Sequence, residues 1–280
     1  MRTAGIDLAS QDLKTGLCVI EWTEGIARIE KLDRGVSDDA ILSTLHDADM
    51  TGIDVPLGWP TAFAEAVWEH ANLRPWPVSY HHENNVDYRY RRTDQWVQRL
   101  ADMPPPLSVS SDRIAIPAMR AAAVLRRFDA DCPRDGSGKV CEVYPAAALK
   151  VWGFQSRGYK GREHASARDA LVASLVERGR PWLELDETAR RKCVESDDAL
   201  DAVIAAIVAR FQFFGLTEPI YPADFAPATT EGWIAMPMEG TFEHLGMTER
   251  ALGTYSRMQM GPVQVLREAD GTWLHPPETE

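Results

Sequence analysis

A single acidic residue set between apolar neighbours recurs in three strand-like stretches, and this pattern constrains the fold more than any other feature. Asp7 lies between Ile6 and Leu8, and residues 52–55 (GIDV) and 140–143 (VCEV) repeat the arrangement. Because side chains alternate between the two faces of a strand, Ile6 and Leu8 share one face and Asp7 points from the other. The pattern predicts several strands that each carry one carboxylate.

Burial determines what each of these acids can do. The strand around Asp54 has a nearly continuous apolar character, which is typical of a strand buried on both faces. An unpaired charge in such a strand costs several kcal/mol, so Asp54 requires a metal, an arginine or a raised pKa. The same argument applies to Glu142, although a charge on an edge strand also protects against aggregation. Asp7 taken alone is equally compatible with a turn residue that faces solvent.

A fourth group of acids opens the most apolar helix that the sequence predicts. Ser196 is a suitable N-cap for a helix that extends to about residue 214. Asp197 is favoured in the first turn by the helix dipole and is interpreted as a capping residue. Asp201 lies in the second turn and shares a face with Asp198 at i, i+3. Carboxylates are the hard oxygen ligands that Mg²⁺ and Mn²⁺ prefer, so the four groups together predict a divalent-metal site.

The remaining periodicities predict an α/β protein with a mixed five-stranded sheet flanked by helices. Strands are predicted near residues 4–10, 16–22, 26–32, 52–55 and 139–144, and helices near 38–46, 62–71, 117–128, 146–151, 166–177, 187–194 and 196–214. Short polar connections make the first three strands an antiparallel meander, and the fourth strand suits a buried, parallel position. One domain would cover residues 1–222, with a helical insertion at 61–131. Residues 223–280 are interpreted as an acidic C-terminal extension, with a strand at 232–236 and a hairpin at 263–274 as candidates.

The net charge of −12 counts against a constitutive nucleic-acid binder, but the charge is unevenly distributed. Residues 218–280 contain ten acids and three arginines, a balance of −7, which leaves −5 for the first 217 residues. Two stretches contain no acid and several bases: Arg113, Arg120, Arg126 and Arg127 in 113–128, and Lys150, Arg157, Lys160 and Arg162 in 143–162. Either stretch is compatible with phosphate binding or with a solvated helix face. The acidic final 63 residues suit a protein partner.

Targeting features are absent from the sequence. It contains no run of about 18 uncharged apolar residues, and its first residues include Asp7 and lack a secretory apolar core. We therefore expect no membrane span and an intracellular, cytoplasmic location. The four cysteines are scattered without a C-x-x-C pair, which predicts reduced thiols rather than a zinc site or disulfides.

The order of these elements resembles that of the ribonuclease H-like superfamily: a strand with Asp, a meander, a helix, a strand with Asp, a strand with Glu and a final helix with Asp-x-x-Asp. The stretch DALDAVIA at residues 198–205 resembles the last helix of RuvC-type resolvases. Seven motifs in order, namely GIDLAS, GIDVPLGWP, RRTD, EVYPAAAL, GYK, SDDALDAVIAA and EGWIAMP, resemble a domain-of-unknown-function family of predicted nucleases with that fold. The resemblance extends to about residue 237.

The resemblance implies a metal-binding set of five acids and a catalytic set within it. Asp7, Asp54 and Asp201, with Asp198 and Glu142 alongside, would bind Mg²⁺ or Mn²⁺, and all of them except Asp198 would be catalytic. Two cations about 3.5 to 4 Å apart would activate a water and stabilise the leaving oxygen of a phosphodiester.

The resemblance also implies contacts to the phosphates of a nucleic acid substrate. Arg91, Arg92 and Asp94 match the family's Arg-x-x-Asp motif, and Lys160 matches its Tyr-Lys pair. An internal ion pair and a surface lysine are equally compatible with these residues.

A metal-dependent nuclease acting on DNA or RNA is thus the leading interpretation. Tyr88, Tyr90 and Trp96, interleaved with arginines, suit stacking on unpaired bases. An ATP-handling protein is an alternative, because GIDLAS followed by a hairpin also resembles the first phosphate loop of the actin, sugar-kinase and chaperone-ATPase superfamily. No glycine-rich second phosphate loop follows Asp54. A catalytically inactive binding or scaffold protein is the third alternative.

Overall fold

The computed structural model describes residues 1–76 and 85–260, and a mixed sheet lies at its centre. The strands are β1 (Arg2–Asp7), β2 (Gly16–Thr23), β3 (Ile26–Arg34), β4 (Met50–Asp54), β5 (Val140–Glu142) and β6 (Leu183–Glu184). Their order across the sheet is β5-β4-β1-β2-β3-β6. β2 is antiparallel to β1 and β3, whereas the pairs β1·β4, β4·β5 and β3·β6 are parallel. The predicted meander and the parallel fourth strand are confirmed.

The predicted number of strands is wrong, because the described residues form six strands instead of five. The additional strand, β6, has two residues and pairs with β3 through Ala27 and Leu183. A strand of two residues is too short to show an alternation of apolar and polar side chains. The other five strands overlap the ranges that the sequence predicts.

Helices surround the sheet. The described residues contain α1 (Asp38–Asp47), α2 (Thr61–Ala71), α3 (Val86–Arg89), α4 (Arg92–Leu100), α5 (Ala115–Phe128), α6 (Pro145–Val151), α7 (Ala165–Arg178), α8 (Glu187–Glu195), α9 (Asp197–Phe213), α10 (Phe225–Glu231) and α11 (Glu249–Met260). The predicted N-cap is confirmed, because the Ser196 hydroxyl accepts a hydrogen bond from the Ala199 amide at 3.3 Å. The short helices α3 and α10, together with α4 and α11, have no counterpart among the predicted helices.

α9 lies directly on the main chain of the sheet. Residues 199–212 of this helix are all buried, as its apolar character predicts. β1 and β4 present glycines where the helix crosses them. A Cβ atom on Gly5 would lie 2.0 Å from the Ala202 carbonyl oxygen, and a Cβ atom on Gly52 would lie 2.5 Å from the Ala205 carbonyl oxygen. Any other residue at these two positions would therefore push the helix away from the sheet.

The opposite face of the sheet is covered by α1 and α5. Ile41 and Leu45 of α1 belong to one buried cluster with Ala121 of α5 and Ile6 of β1. α5 is therefore part of the main core, although it falls within the segment that the sequence marks as a helical insertion. The insertion thus supplies α5, which together with α1 forms one of the two helical layers that cover the sheet.

Described residues beyond 222 pack against the core of the same domain, whereas the sequence predicts a separate C-terminal extension from residue 223. Ile234 forms a single parallel bridge with Glu142 at the outer edge of β5, in place of a full strand. Phe242 lies in the same buried cluster as Trp182, and their ring centroids are 5.0 Å apart. Packing against this core holds the described part of the C-terminal region in place.

Two further expectations concern the ends of the described chain. The hairpin predicted at residues 263–274 lies outside the described residues. Within residues 1–76 and 85–260, no helix combines the length and apolar character that are needed to cross a membrane.

Candidate functional site

Asp7 and Asp54 end two neighbouring parallel strands at the same level. β1 and β4 pair with Gly5 opposite Gly52 and with Asp7 opposite Asp54. Paired residues of adjacent strands share a face of the sheet, and the strands lie about 4.8 Å apart. The two glycines face α9, so the two aspartates, two positions further along, face the same side. The register alone therefore brings these carboxylates together.

Asp201 of α9 completes a cluster of three carboxylates. One oxygen from each of Asp7, Asp54 and Asp201 lies within 4.8 Å of the other two. Asp201 is fully buried, whereas Asp7 and Asp54 are partly exposed. Within the described ranges 1–76 and 85–260, the carboxylates of Asp7 and Asp54 accept no hydrogen bond and form no ion pair. We call these three residues the open cluster.

Two residues of one loop contact the buried member of the open cluster. The Tyr159 hydroxyl donates a hydrogen bond to Oδ1 of Asp201 at 2.8 Å. Lys160 Nζ lies 2.6 Å from Oδ2 of Asp201, and the lysine side chain is 50% exposed. Oδ2 is buried and accepts no well-aligned hydrogen bond, so its contact with Lys160 is an ion pair. Burial, followed by the charge of Asp201, raises the pKa of Tyr159 well above its usual value, so the hydroxyl stays a donor.

The crowding of like charges is visible in the pKa values of the open cluster. Burial raises the pKa of Asp7 well above its usual range, and the charges of Asp54 and Asp201 add to the effect. Burial also raises the pKa of Asp54 to about 7, with Asp201 acting in the same direction and Lys160 opposing it. Burial alone would lower the pKa of Lys160, but the surrounding carboxylates, Asp201 first, raise it well above its usual value. The site therefore attracts positive charge.

The loop that carries Lys160 is fixed on both sides. Nη1 of the buried Arg168 donates hydrogen bonds to the carbonyl oxygens of Tyr159 at 2.7 Å and of Gly161 at 2.5 Å. The Gly161 amide donates to Oδ2 of Asp197 at 2.9 Å. Asp197, predicted as a capping residue of its own helix, thus connects this loop to α9. Gly161 has a φ angle of +100°, a conformation that favours glycine.

Glu142 does not join the open cluster, although the sequence predicts it as a ligand and a catalytic residue. It pairs with Ile53 of β4, one position before Asp54, so its side chain points from the opposite face of the sheet. There Glu142 is 2% exposed and accepts two hydrogen bonds from Arg91, at 2.6 and 2.7 Å, and one from the Leu57 amide at 2.9 Å. Interior groups therefore neutralise the charge of Glu142 and satisfy its carboxylate oxygens.

Arg91 and Asp94 are interior residues, which contradicts their predicted role as phosphate contacts. Each side chain is 1% exposed, and Arg91 Nη2 donates to Asp94 Oδ1 at 2.7 Å. Burial alone would lower the pKa of Arg91, but the carboxylates of Asp94 and Glu142 outweigh this effect and raise the pKa above its ordinary value. We call Arg91, Asp94 and Glu142 the paired cluster. It joins the start of α4 to the end of β5, which is the internal ion pair that the sequence left open as an alternative.

Asp198 and Arg92 also have partners of their own. Oδ2 of Asp198 accepts a hydrogen bond from Arg34 Nε at 2.6 Å, and Asp198 is not part of the open cluster, in contrast to its predicted role as a ligand. Arg92 Nε donates to Oδ1 of Asp224 at 2.6 Å. Of the four residues predicted to contact phosphate, Lys160 is thus the one that lies beside the open cluster.

The two acid-free stretches behave differently in the fold. In the first, Arg120 forms ion pairs with Asp12 and Asp38, and Arg127 pairs with Asp39, so acids from elsewhere neutralise these arginines. In the second, Lys150 and Arg157 are exposed and form no ion pair within the described ranges. They line a groove of about 410 Å³ together with Asp102, Met103, Phe154, Gln155 and Ser156. Free positive charge is therefore available in the second stretch.

Some residues that build the site are not evident from the acidic pattern. Gly5 and Gly52 each lie two residues before an aspartate, on two different strands. A glycine at such a position is the sequence signal for close approach of a helix on the face that carries the aspartate. The signal for Arg168 is its place in the apolar stripe of α7, with Leu171 and Leu175 at i+3 and i+7. An arginine in such a stripe is buried and must satisfy polar groups there.

The fold and the site define a mixed α/β protein with an acidic cluster at the carboxyl ends of two parallel strands. Over residues 5–224 the chain matches the family described as Protein of unknown function (DUF429), and it belongs to this family. The matched range contains the open cluster, Tyr159 and Lys160. Searches among curated proteins and among solved structures gave no match.

Proposed function

We propose that this chain is a phosphodiester hydrolase that acts on DNA or RNA, has a ribonuclease H-like fold and depends on Mg²⁺ or Mn²⁺. The observation that carries the proposal is the open cluster. Three carboxylates from three separate elements converge within 4.8 Å, and two of them are partly exposed and have no partner within the described ranges. Lys160 forms an ion pair with Asp201 alone among the three, so the cluster keeps uncompensated negative charge that is suited to a cation from solution.

The donor set fits a hard divalent cation. Asp7, Asp54 and Asp201 would hold it, since carboxylate oxygens are the ligands that Mg²⁺ and Mn²⁺ prefer. Such a cation activates water and stabilises the charge that develops on a phosphodiester. The chain's own residues orient the site: Tyr159 fixes the carboxylate of Asp201, and the main chain of β1 and β4 fixes the other two.

Two further observations support a nucleic acid as the substrate. The observed order of β1, the meander, α1, β4, β5 and α9 is the order on which the resemblance to ribonuclease H-like proteins rests. The exposed side chains of Lys150 and Arg157 supply positive charge without an internal partner among the described residues, as contacts to a phosphate backbone require.

A nuclease assay with matched aspartate variants tests this proposal. Purified protein is given Mg²⁺ or Mn²⁺ and a panel of single-stranded, duplex and branched DNA and RNA. We expect cleavage that chelation abolishes and that Asp7→Asn lowers at least about 100-fold, because a ligand oxygen is lost. Asp39→Asn, in an exposed ion pair on α1, is the control and keeps its activity. Absence of cleavage beyond the Asp7→Asn level on every substrate would reject the proposal.

A further inference from the structure

Lys160 contributes a charge that changes how many cations the open cluster is suited to hold. Asp7, Asp54 and Asp201 carry three negative charges when ionised, and the ammonium of Lys160 lies 2.6 Å from Asp201. The sum of these charges is equal and opposite to that of one divalent cation. Glu142 and Asp198, which would raise the acid count to that of a site for two cations, are engaged by Arg91 and Arg34.

We propose that the site takes one divalent cation and that the ammonium of Lys160 occupies the position of a second one. This inference rests on the proposed function and specifies its site. With one cation bound, Lys160 supplies the second positive charge that faces the phosphodiester. The predicted pair of cations is replaced by a cation and an ammonium group.

The surroundings of Lys160 distinguish it from a surface lysine in a chance ion pair. Arg168 holds the carbonyl oxygens before and after it, and Asp197 holds the next amide, so the backbone that carries the lysine has three fixed contacts. Tyr159 holds the other oxygen of Asp201, which leaves Oδ2 directed at the ammonium. Lys31 is a matched contrast: it is 44% exposed, and its Nζ lies 3.9 Å from Asp33.

A titration of the full-length, metal-free protein with Mn²⁺ tests the inference without any substrate. Calorimetry gives the number of ions and their affinity, and electron paramagnetic resonance detects magnetic coupling between two bound ions. We expect one Mn²⁺ and no coupling in the unmodified protein. Lys160→Met should still bind one ion, about tenfold more tightly, because a nearby positive charge is removed. Lys160→Glu supplies a fourth carboxylate and should bind two coupled ions. Lys31→Met is the control and binds as the unmodified protein does.

Each other outcome overturns the inference in a recognisable way. Two coupled ions in the unmodified protein would mean that Lys160 moves aside, and the proposed nuclease function would stand. An affinity in Lys160→Met equal to that in Lys31→Met, or a single ion in Lys160→Glu, would mean that the ammonium does not fill a cation position. No Mn²⁺ bound to the unmodified protein would overturn the metal site and the proposed function together. If a variant fails to fold by circular dichroism, the ion count of the unmodified protein still decides.

Discussion

The paired cluster and the open cluster contain the same kind of side chain and differ in what neutralises it. In the paired cluster, two buried carboxylates share the guanidinium of Arg91 through four hydrogen bonds between side chains. In the open cluster, the described residues supply one half-exposed lysine for three carboxylates, and its ammonium forms an ion pair with Asp201. The first arrangement joins parts of the fold. The second leaves acids that only a ligand from outside the described chain can neutralise.

The register of β5 keeps the two clusters apart. Asp54 faces α9, and Glu142, opposite the preceding residue of β4, faces the other side of the sheet. Two acids on neighbouring strands are therefore separated by the thickness of the sheet. This difference between the two clusters leads to four experimental predictions.

Removal of the positive charge of Arg91 from the paired cluster should have the largest effect on stability. Arg91→Met leaves Asp94 and Glu142 buried without a partner, so we expect a loss of about 3–5 kcal/mol in the free energy of unfolding. Urea denaturation measures it. The control is Arg92→Met, which breaks the ion pair with Asp224. The arginine side chain of that pair is 45% exposed, so its loss should lower the free energy of unfolding by about 1 kcal/mol. Equal losses in the two variants would show that the paired cluster does not stabilise the fold.

A methyl group between the sheet and α9 should damage both stability and the open cluster. In Gly52→Ala the new Cβ would lie 2.5 Å from the Ala205 carbonyl oxygen, so we expect a loss of about 3 kcal/mol and at least tenfold weaker Mn²⁺ binding. Denaturation and calorimetric titration measure the two effects. Gly253→Ala in α11, where a Cβ meets no atom within 4 Å, should change neither. Unchanged Mn²⁺ affinity in Gly52→Ala would show that metal binding does not depend on the position of α9.

Mn²⁺ should stabilise the protein through the open cluster alone. At 100 times its Kd the ion adds about 2.7 kcal/mol to the free energy of unfolding, which thermal denaturation reports as a raised Tm. Asp7→Asn should abolish the increase. Asp94→Asn in the paired cluster should lower the starting Tm and keep the increase. Loss of the increase in both variants would show that the two clusters are not independent.

The pH dependence of stability should also differ between the clusters. The pKa of Asp54 in the folded protein is about 7, above its ordinary value of 3.8, so its contribution to stability is full below the ordinary pKa and is lost as the pH rises towards 7. Asp54→Asn should therefore raise the metal-free stability at pH 8 by about 1 kcal/mol, a figure that allows for contact with solvent.

Urea midpoints at pH 5, 6, 7 and 8 with a chelator measure the effect. The difference between Asp54→Asn and the unmodified protein should grow from pH 5 to pH 8, whereas Asp39→Asn should show no such trend. A constant difference across this range would mean that Asp54 is already ionised at pH 5.

The local parts of the site can be predicted from the amino-acid sequence, whereas the parts that depend on strand register cannot. The apolar alternation around Asp7 and Asp54, and the serine cap and apolar character of α9, are local signals that define these elements. The face to which Glu142 points depends on its alignment with β4, about 90 residues earlier in the chain, and periodicity contains no information on that alignment. The burial of Arg91 depends in the same way on contacts with β5.

The contact between α9 and the two glycines has a consequence for how the site responds to sequence change. Because α9 packs directly against main-chain atoms of β1 and β4, backbone atoms set the separation of the three carboxylates, and the shapes of apolar side chains do not. Substitutions in the interior far from this contact are thus expected to alter how firmly the protein is folded long before they alter which ion the site selects.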